Sequence, residues 1–192
     1  MHGIRKHFFT GFGLLICLLV LVFSLNSCQS AATRNGVGSA YPKNFHKVNA
    51  DNYRSGQPSA DEFACMATVE GIRSVLNLRD FHDDSDEAGT LEIVRYDIPL
   101  SAGSITEDDL VRILQTVKSA PKPILIHCRH GSDRTGAAVA ACRIVFDGWT
   151  VEQAVSELME PEYGHHRLLY KNIPELLRKA DWDRIRNEVA KD

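Results

Sequence analysis

The run His127-Cys128-Arg129-His130-Gly131-Ser132-Asp133-Arg134-Thr135-Gly136 sets a cysteine six positions before an arginine, with a glycine midway and Thr-Gly directly after. A thiol attacks only as its thiolate, and that form is favoured by backbone amides and by a nearby guanidinium. A loop wrapping into a helix N-terminus aims successive N–H groups at one spot, and the cradle so made suits a phosphate's oxygens as well as a thiolate. On this reading Cys128 is the nucleophile and Arg134 grips two phosphate oxygens through its planar fork, as a lysine would not. Arg129, His130, Gly131, Ser132, Asp133 and Arg134 form the phosphate-binding loop. Gly131 and Gly136 suit a tight turn and a close approach of loop to helix. Thr135 stands where its hydroxyl would support the departing sulfur, and His127 where it would orient the cysteine through the loop backbone.

The flanking sequence supplies elements to hold this loop. Pro123-Ile124-Leu125-Ile126 reads as a buried parallel strand, and 137–146 as a helix. Cys128 then lies at the carboxyl end of a strand, where open α/β sheets bind their ligands. Upstream, 45–53 reads as a strand and 54–58 as a turn. Ser59 caps a helix running to Glu70, with Gly71 as its stop. Strands follow at 74–78 and 91–98, and Thr106 with Asp109 makes a capping box for a helix to about Ser119. Thr150 caps a helix over 151–158, and 173–180 reads as the last one. The alternation predicts an α/β fold with a mainly parallel central sheet flanked by helices.

His127, Cys128, Gly131, Arg134, Thr135 and Gly136 together resemble the HCx5R[ST] signature of the cysteine-dependent protein tyrosine and dual-specificity phosphatases. The stretch Tyr53-Arg54-Ser55-Gly56-Gln57-Pro58 and Gly148-Trp149 are similar to bacterial and atypical members of that family, so the resemblance covers roughly residues 44–177. It implies the dual-specificity phosphatase fold and a two-step hydrolysis without metal or other cofactor. Cys128 attacks phosphorus to give a phosphocysteine, which water then hydrolyses. Implied substrates are phosphoproteins, inositol phosphates or phospholipid headgroups.

One part of the family pattern is missing. Many such enzymes carry a general acid shortly after an Ile-Pro pair, but here Ile98-Pro99 is followed by Leu100-Ser101-Ala102-Gly103. Asp133 is the favoured substitute, because a similar Gly-x-Asp-Arg-Thr-Gly loop occurs in bacterial tyrosine/lipid phosphatases. Asp108, Asp109 and Asp80 are the alternatives. His165-His166 offers little to a metal, since adjacent histidines point different ways.

The amino terminus has a different composition. Arg5 and Lys6 precede the apolar run 14–23, and the first acidic residue is Asp51. This is the layout of an export signal. Leu25-Asn26-Ser27-Cys28 resembles a lipoprotein processing box, implying lipidation at Cys28, a membrane anchor and a periplasm-facing place in a bacterial envelope. An uncleaved anchor is the alternative. The expected organisation is a signal over 1–27, a flexible tether over 28–43, a phosphatase domain over 44–180 and a tail over 181–192. With 22 basic against 25 acidic residues the charge is −3, which offers no pull towards nucleic acid. Cys65 and Cys142 lie in apolar helical contexts where a buried free thiol is the default. Two other readings stay open: a catalytically silent phosphate-binding module, and a thiol redox enzyme like an arsenate reductase with Cys142 as resolving partner.

Overall fold

The computed structural model describes residues 40–191. The expected signal, Cys28 and most of the tether lie outside them.

Five strands form one sheet in the order β1-β2-β5-β3-β4. They are β1 (His46–Lys47), β2 (Asn52–Ser55), β3 (Ser74–Asn77), β4 (Val94–Asp97) and β5 (Ile124–His127). β1 pairs antiparallel with β2, and the remaining pairings are all parallel. The mainly parallel sheet is therefore as expected. β5 sits at its centre and is buried along its whole length, which is why the Ile-Leu-Ile run is continuous rather than alternating. Its side chains still divide by face. Ile124 and Ile126 join Leu76 in the larger core, and Leu125 joins Val75, Tyr53 and Phe63 in the smaller one.

Several details of the amino-terminal half differ from expectation. The single strand over 45–53 is a hairpin, because the Asn49 side chain accepts bonds from the amides of Asp51 (3.0 Å) and Asn52 (2.9 Å) and turns the chain. Arg54 and Ser55 belong to β2 rather than to a turn, and both are buried. The helix after Ser59 starts as α1 (Ala60–Cys65) with the capping box formed to Glu62. It then widens into a π-helical turn over Met66–Glu70, which Gly71 closes at φ 69°. Tyr41 stacks on Phe45 at 4.6 Å, so the packed domain begins inside the stretch read as tether.

The other helices are α2 (Ser85–Ala88), α3 (Glu107–Ser119), α4 (Asp133–Val145), α5 (Val151–Leu158), α6 (Asn172–Lys179) and α7 (Trp182–Ala190). The capping boxes at Thr106 and Thr150 are formed. The expected tail is the helix α7, whose Trp182, Ile185 and Val189 are buried in the larger core. Its apolar residues at spacings of three and four lie in a charge-rich run, which hid the amphipathic stripe. Among the described residues, no helix is long and apolar enough to cross a membrane.

Candidate active site

β5 delivers the loop to the sheet's carboxyl edge, and α4 receives it. Cys128 follows His127 directly and is buried. The first turn of α4 has no side-chain cap at Ser132, so its amides stay available to an anion.

What holds the loop in shape lies beneath it. Gly131 has φ +72°, and a Cβ there would fall 2.4 Å from the backbone carbon of Ser55. Only glycine allows the loop to lie this close to β2. Arg54, 1% exposed, donates from Nη2 to the Gly131 carbonyl at 2.8 Å and stacks its guanidinium 4.1 Å over Tyr163. Burial pulls its pKa down, and negative charge on Glu157, Tyr163 and Cys128 opposes that shift. A second cation therefore lies under the nucleophile, besides Arg134. Gln57 takes its amide to the Arg129 carbonyl at 3.2 Å.

His127 is fully buried, and its Nε2 pairs with Asp84 Oδ2 at 2.8 Å rather than with loop backbone. Asp84 Oδ1 accepts from Gln57 Nε2 at 2.8 Å, and Gln57 Oε1 from Arg79 Nη1 at 2.8 Å. Burial works to raise the Asp84 pKa, but the bonds from His127 and Gln57 prevail and hold it below the usual carboxylate range. Sequence reasoning missed Arg54 and Asp84 as supports. Arg54 stood inside a turn-like run, and nothing local connects Asp84 with His127, 43 residues away.

Arg134 is held at the rim. Its Nη1 donates to Asp80 Oδ1 at 2.7 Å, to the Leu100 carbonyl at 3.0 Å and to the Leu78 carbonyl at 3.4 Å. Thr135 is placed under the loop, but its Oγ1 is buried without a hydrogen-bond partner, so in this state it does not support the sulfur. Cys128, Arg134, His130, His166, Ala102 and Tyr170 line a cleft of about 250 Å³.

The carboxylates named as acids are all engaged. Asp133, 6% exposed, accepts the His166 amide at 2.9 Å and faces His166 Nδ1 at 2.6 Å, while His165 Nδ1 lies 2.8 Å away. Burial works to raise its pKa, yet the two histidines and the amide bring it below the ordinary value. Both oxygens of Asp133 are thus engaged by its neighbours, and nothing in this geometry aims it at a leaving group as the expected direct donor. The adjacent histidines likewise converge on one carboxylate instead of diverging. Asp80 is held low chiefly by its bond to Arg134. Asp109 is spent on the Thr106 cap, and Asp108 pairs with Arg184 of α7 at 3.0 Å.

Neither of the other cysteines among the described residues offers a thiolate to Cys128. Cys142 is a free thiol whose pKa burial pushes up to about 12, so it supplies no thiolate near neutral pH. Cys65 is disulfide-bonded, not the free thiol expected.

Comparison with known proteins agrees with this geometry. The family model described as "Tyrosine phosphatase family" matches residues 40–168. The dual specificity protein phosphatase TpbA of Pseudomonas aeruginosa is 27% identical over 173 residues, covering 86% of this chain and 77% of that protein. The inositol diphosphatase DSP3 of Arabidopsis thaliana is 30% identical over 134 residues, covering 64% of each chain. The solved structure of P. aeruginosa TpbA in complex with pTyr matches with a TM-score of 0.70 at 25% identity, over 78% of this chain and 91% of that one.

Proposed function

The chain belongs to the tyrosine phosphatase family, and from that premise we propose that it cleaves phosphomonoesters through a phosphocysteine on Cys128. Arg134 and the loop amides from Arg129 to Arg134 hold the phosphoryl oxygens, and the thiolate attacks phosphorus in line with the leaving oxygen. Water then hydrolyses the S–P bond. The observation that carries this reading is the seat of Cys128. It lies between the end of the central strand and an uncapped helix N-terminus, over a glycine packed against β2. The amides and two guanidiniums there present hydrogen-bond donors and positive charge to a phosphate.

Phosphotyrosine and inositol phosphates are the proposed substrates. They follow from the relatives' names and from a cleft with Arg129 and His130 at its mouth. Burial, Arg129 and His166 lower the His130 pKa, so near neutral pH His130 serves as a neutral hydrogen-bonding group. We further propose that Cys28 carries a lipid that tethers the domain outside the cytoplasm, on the strength of the Leu25-Asn26-Ser27-Cys28 box. Labelled fatty acid should enter the wild-type chain and not Cys28→Ala; equal labelling of both removes the tether.

The central test is Cys128→Ser. Hydrolysis of 4-nitrophenyl phosphate should fall to background while vanadate still binds, read by turnover and by calorimetry. Hydrolysis that survives the substitution discards Cys128 as nucleophile.

A further inference from the structure

Cleaving a phosphate ester needs a proton for the leaving oxygen, and every carboxylate considered for that task is committed elsewhere. The side chain on the cleft wall with the right wiring is His166. Its Nδ1 lies 2.6 Å from Asp133 Oδ2, and its own amide donates to Oδ1 of the same carboxylate at 2.9 Å. A carboxylate held ionised fixes the imidazole hydrogen on Nδ1, so Nε2 is the nitrogen left for the cleft. Tyr170 packs edge-on against the ring at 6.1 Å, and the His166 side chain is 41% exposed. The ring is thus oriented from two sides and open on a third. Gly164, at φ +66°, ends the turn that brings this segment over the loop.

We propose that His166, oriented by Asp133, is the general acid and then the general base of this phosphatase. The inference rests on Cys128 being the nucleophile. In the first step the Cys128 thiolate forms the S–P bond, the P–O bond to the leaving group breaks, and that oxygen takes the Nε2 proton. The imidazolium becomes a neutral imidazole. In the second step water attacks phosphorus and gives a proton to Nε2, the S–P bond breaks, and thiolate and inorganic phosphate are released. Protons and charge balance over the two steps, and no oxidant or further reactant is needed. The assignment also accounts for the segment after Pro99 having no acid. The donor reaches the cleft from the loop before α6.

The charged and titratable groups facing His166 are Asp133 of α4, the neighbouring His165, His130, Arg129 and Arg134 of the loop, and Tyr170. Among them His130 is the rival donor, yet burial, Arg129 and His166 all lower its pKa.

The test compares 4-nitrophenyl phosphate, whose leaving group needs little help, with phenyl phosphate, whose leaving group needs a proton. It uses the full-length wild type, His166→Gln, His166→Asn, His130→Gln and Cys128→Ser. Both His166 variants should lose about 10²-fold or more in kcat on phenyl phosphate and far less on 4-nitrophenyl phosphate. They should also lose the alkaline limb of the kcat–pH profile. The ratio between substrates is internal to one preparation, so partial misfolding does not mimic it. Equal losses on both substrates, a retained alkaline limb, or a leaving-group-dependent loss in His130→Gln in their place overturns the assignment. Activity surviving in Cys128→Ser fails the nucleophile itself, a separate outcome.

Discussion

The floor under Cys128 and the rim around it are built on opposite terms. In the floor, Arg54, His127, Asp84 and Gly131 are packed between strand and helix, and a single added carbon at Gly131 meets backbone. At the rim, Asp80, Arg134 and His166 are partly open, and each is held by one to three bonds to its neighbours. Packing without slack fixes where the phosphate sits. Groups with freedom to exchange partners decide how tightly it binds and who hands over the proton. Signature residues stand in both, His127 and Gly131 in the floor and Arg134 at the rim, while the segment after Ile98-Pro99 supplies no acid.

The floor is most vulnerable at Gly131. Gly131→Ala would force a Cβ to 2.4 Å from the Ser55 backbone at φ +72°, adding left-handed strain to a collision with atoms that cannot rotate away. A loss of about 3 kcal/mol or more in unfolding free energy is expected, together with loss of vanadate binding. Urea melts and calorimetry check both. A variant of wild-type stability would mean that the loop is free to rise off β2.

Asp84→Asn is the next largest. One oxygen facing His127 or Gln57 becomes a donor facing a donor, a cost of about 2 kcal/mol at neutral pH. The sign with pH follows from the depressed pKa of Asp84. The native state binds this proton less readily than the unfolded chain does. The stabilisation is therefore complete above the unfolded value of about 3.9 and fades as pH falls through the lower folded value. Unfolding curves of wild type and variant should converge in that acidic window. A gap that stays constant across it means that the charge on Asp84 contributes nothing.

The same division explains what was legible in the sequence. Cys128, Gly131 and Arg134 fall within seven residues, and their spacing alone fixes strand, loop and helix. The partners that make the floor rigid are long-range. Arg54 meets Gly131 across 77 residues and Asp84 meets His127 across 43, and no periodicity reports such pairs. Arg54 was also disguised, since an arginine followed by Ser-Gly-Gln-Pro has the composition of a turn while the sheet makes it strand. Asp133 was visible as a carboxylate in the right loop, but its chemistry depends on His165 and His166, which arrive 32 and 33 positions later. Residue type there pointed to an acid, and the tertiary contacts set the His166 amide and two imidazoles against it.

The rim is best sharpened at Asp80, where the smallest effect is expected. All three bonds of Arg134 leave from Nη1, to Asp80 and to the carbonyls of Leu78 and Leu100. Among the described residues the remaining guanidinium nitrogens make no such bond, so the fork keeps donors for a phosphate. Asp80 is 47% exposed, and an ion pair in that setting is worth about 0.2–1 kcal/mol, less in salt. Removing it leaves both carbonyls to aim the side chain, while taking away a negative charge that competes with the substrate for the same cation. Asp80→Ala should therefore leave the melting temperature nearly unchanged. It should also tighten vanadate inhibition by at most about fivefold, with the gain shrinking as ionic strength rises. Inhibition that weakens instead would show that Asp80 aligns Arg134 rather than competing for it, moving Asp80 from the rim's account to the floor's.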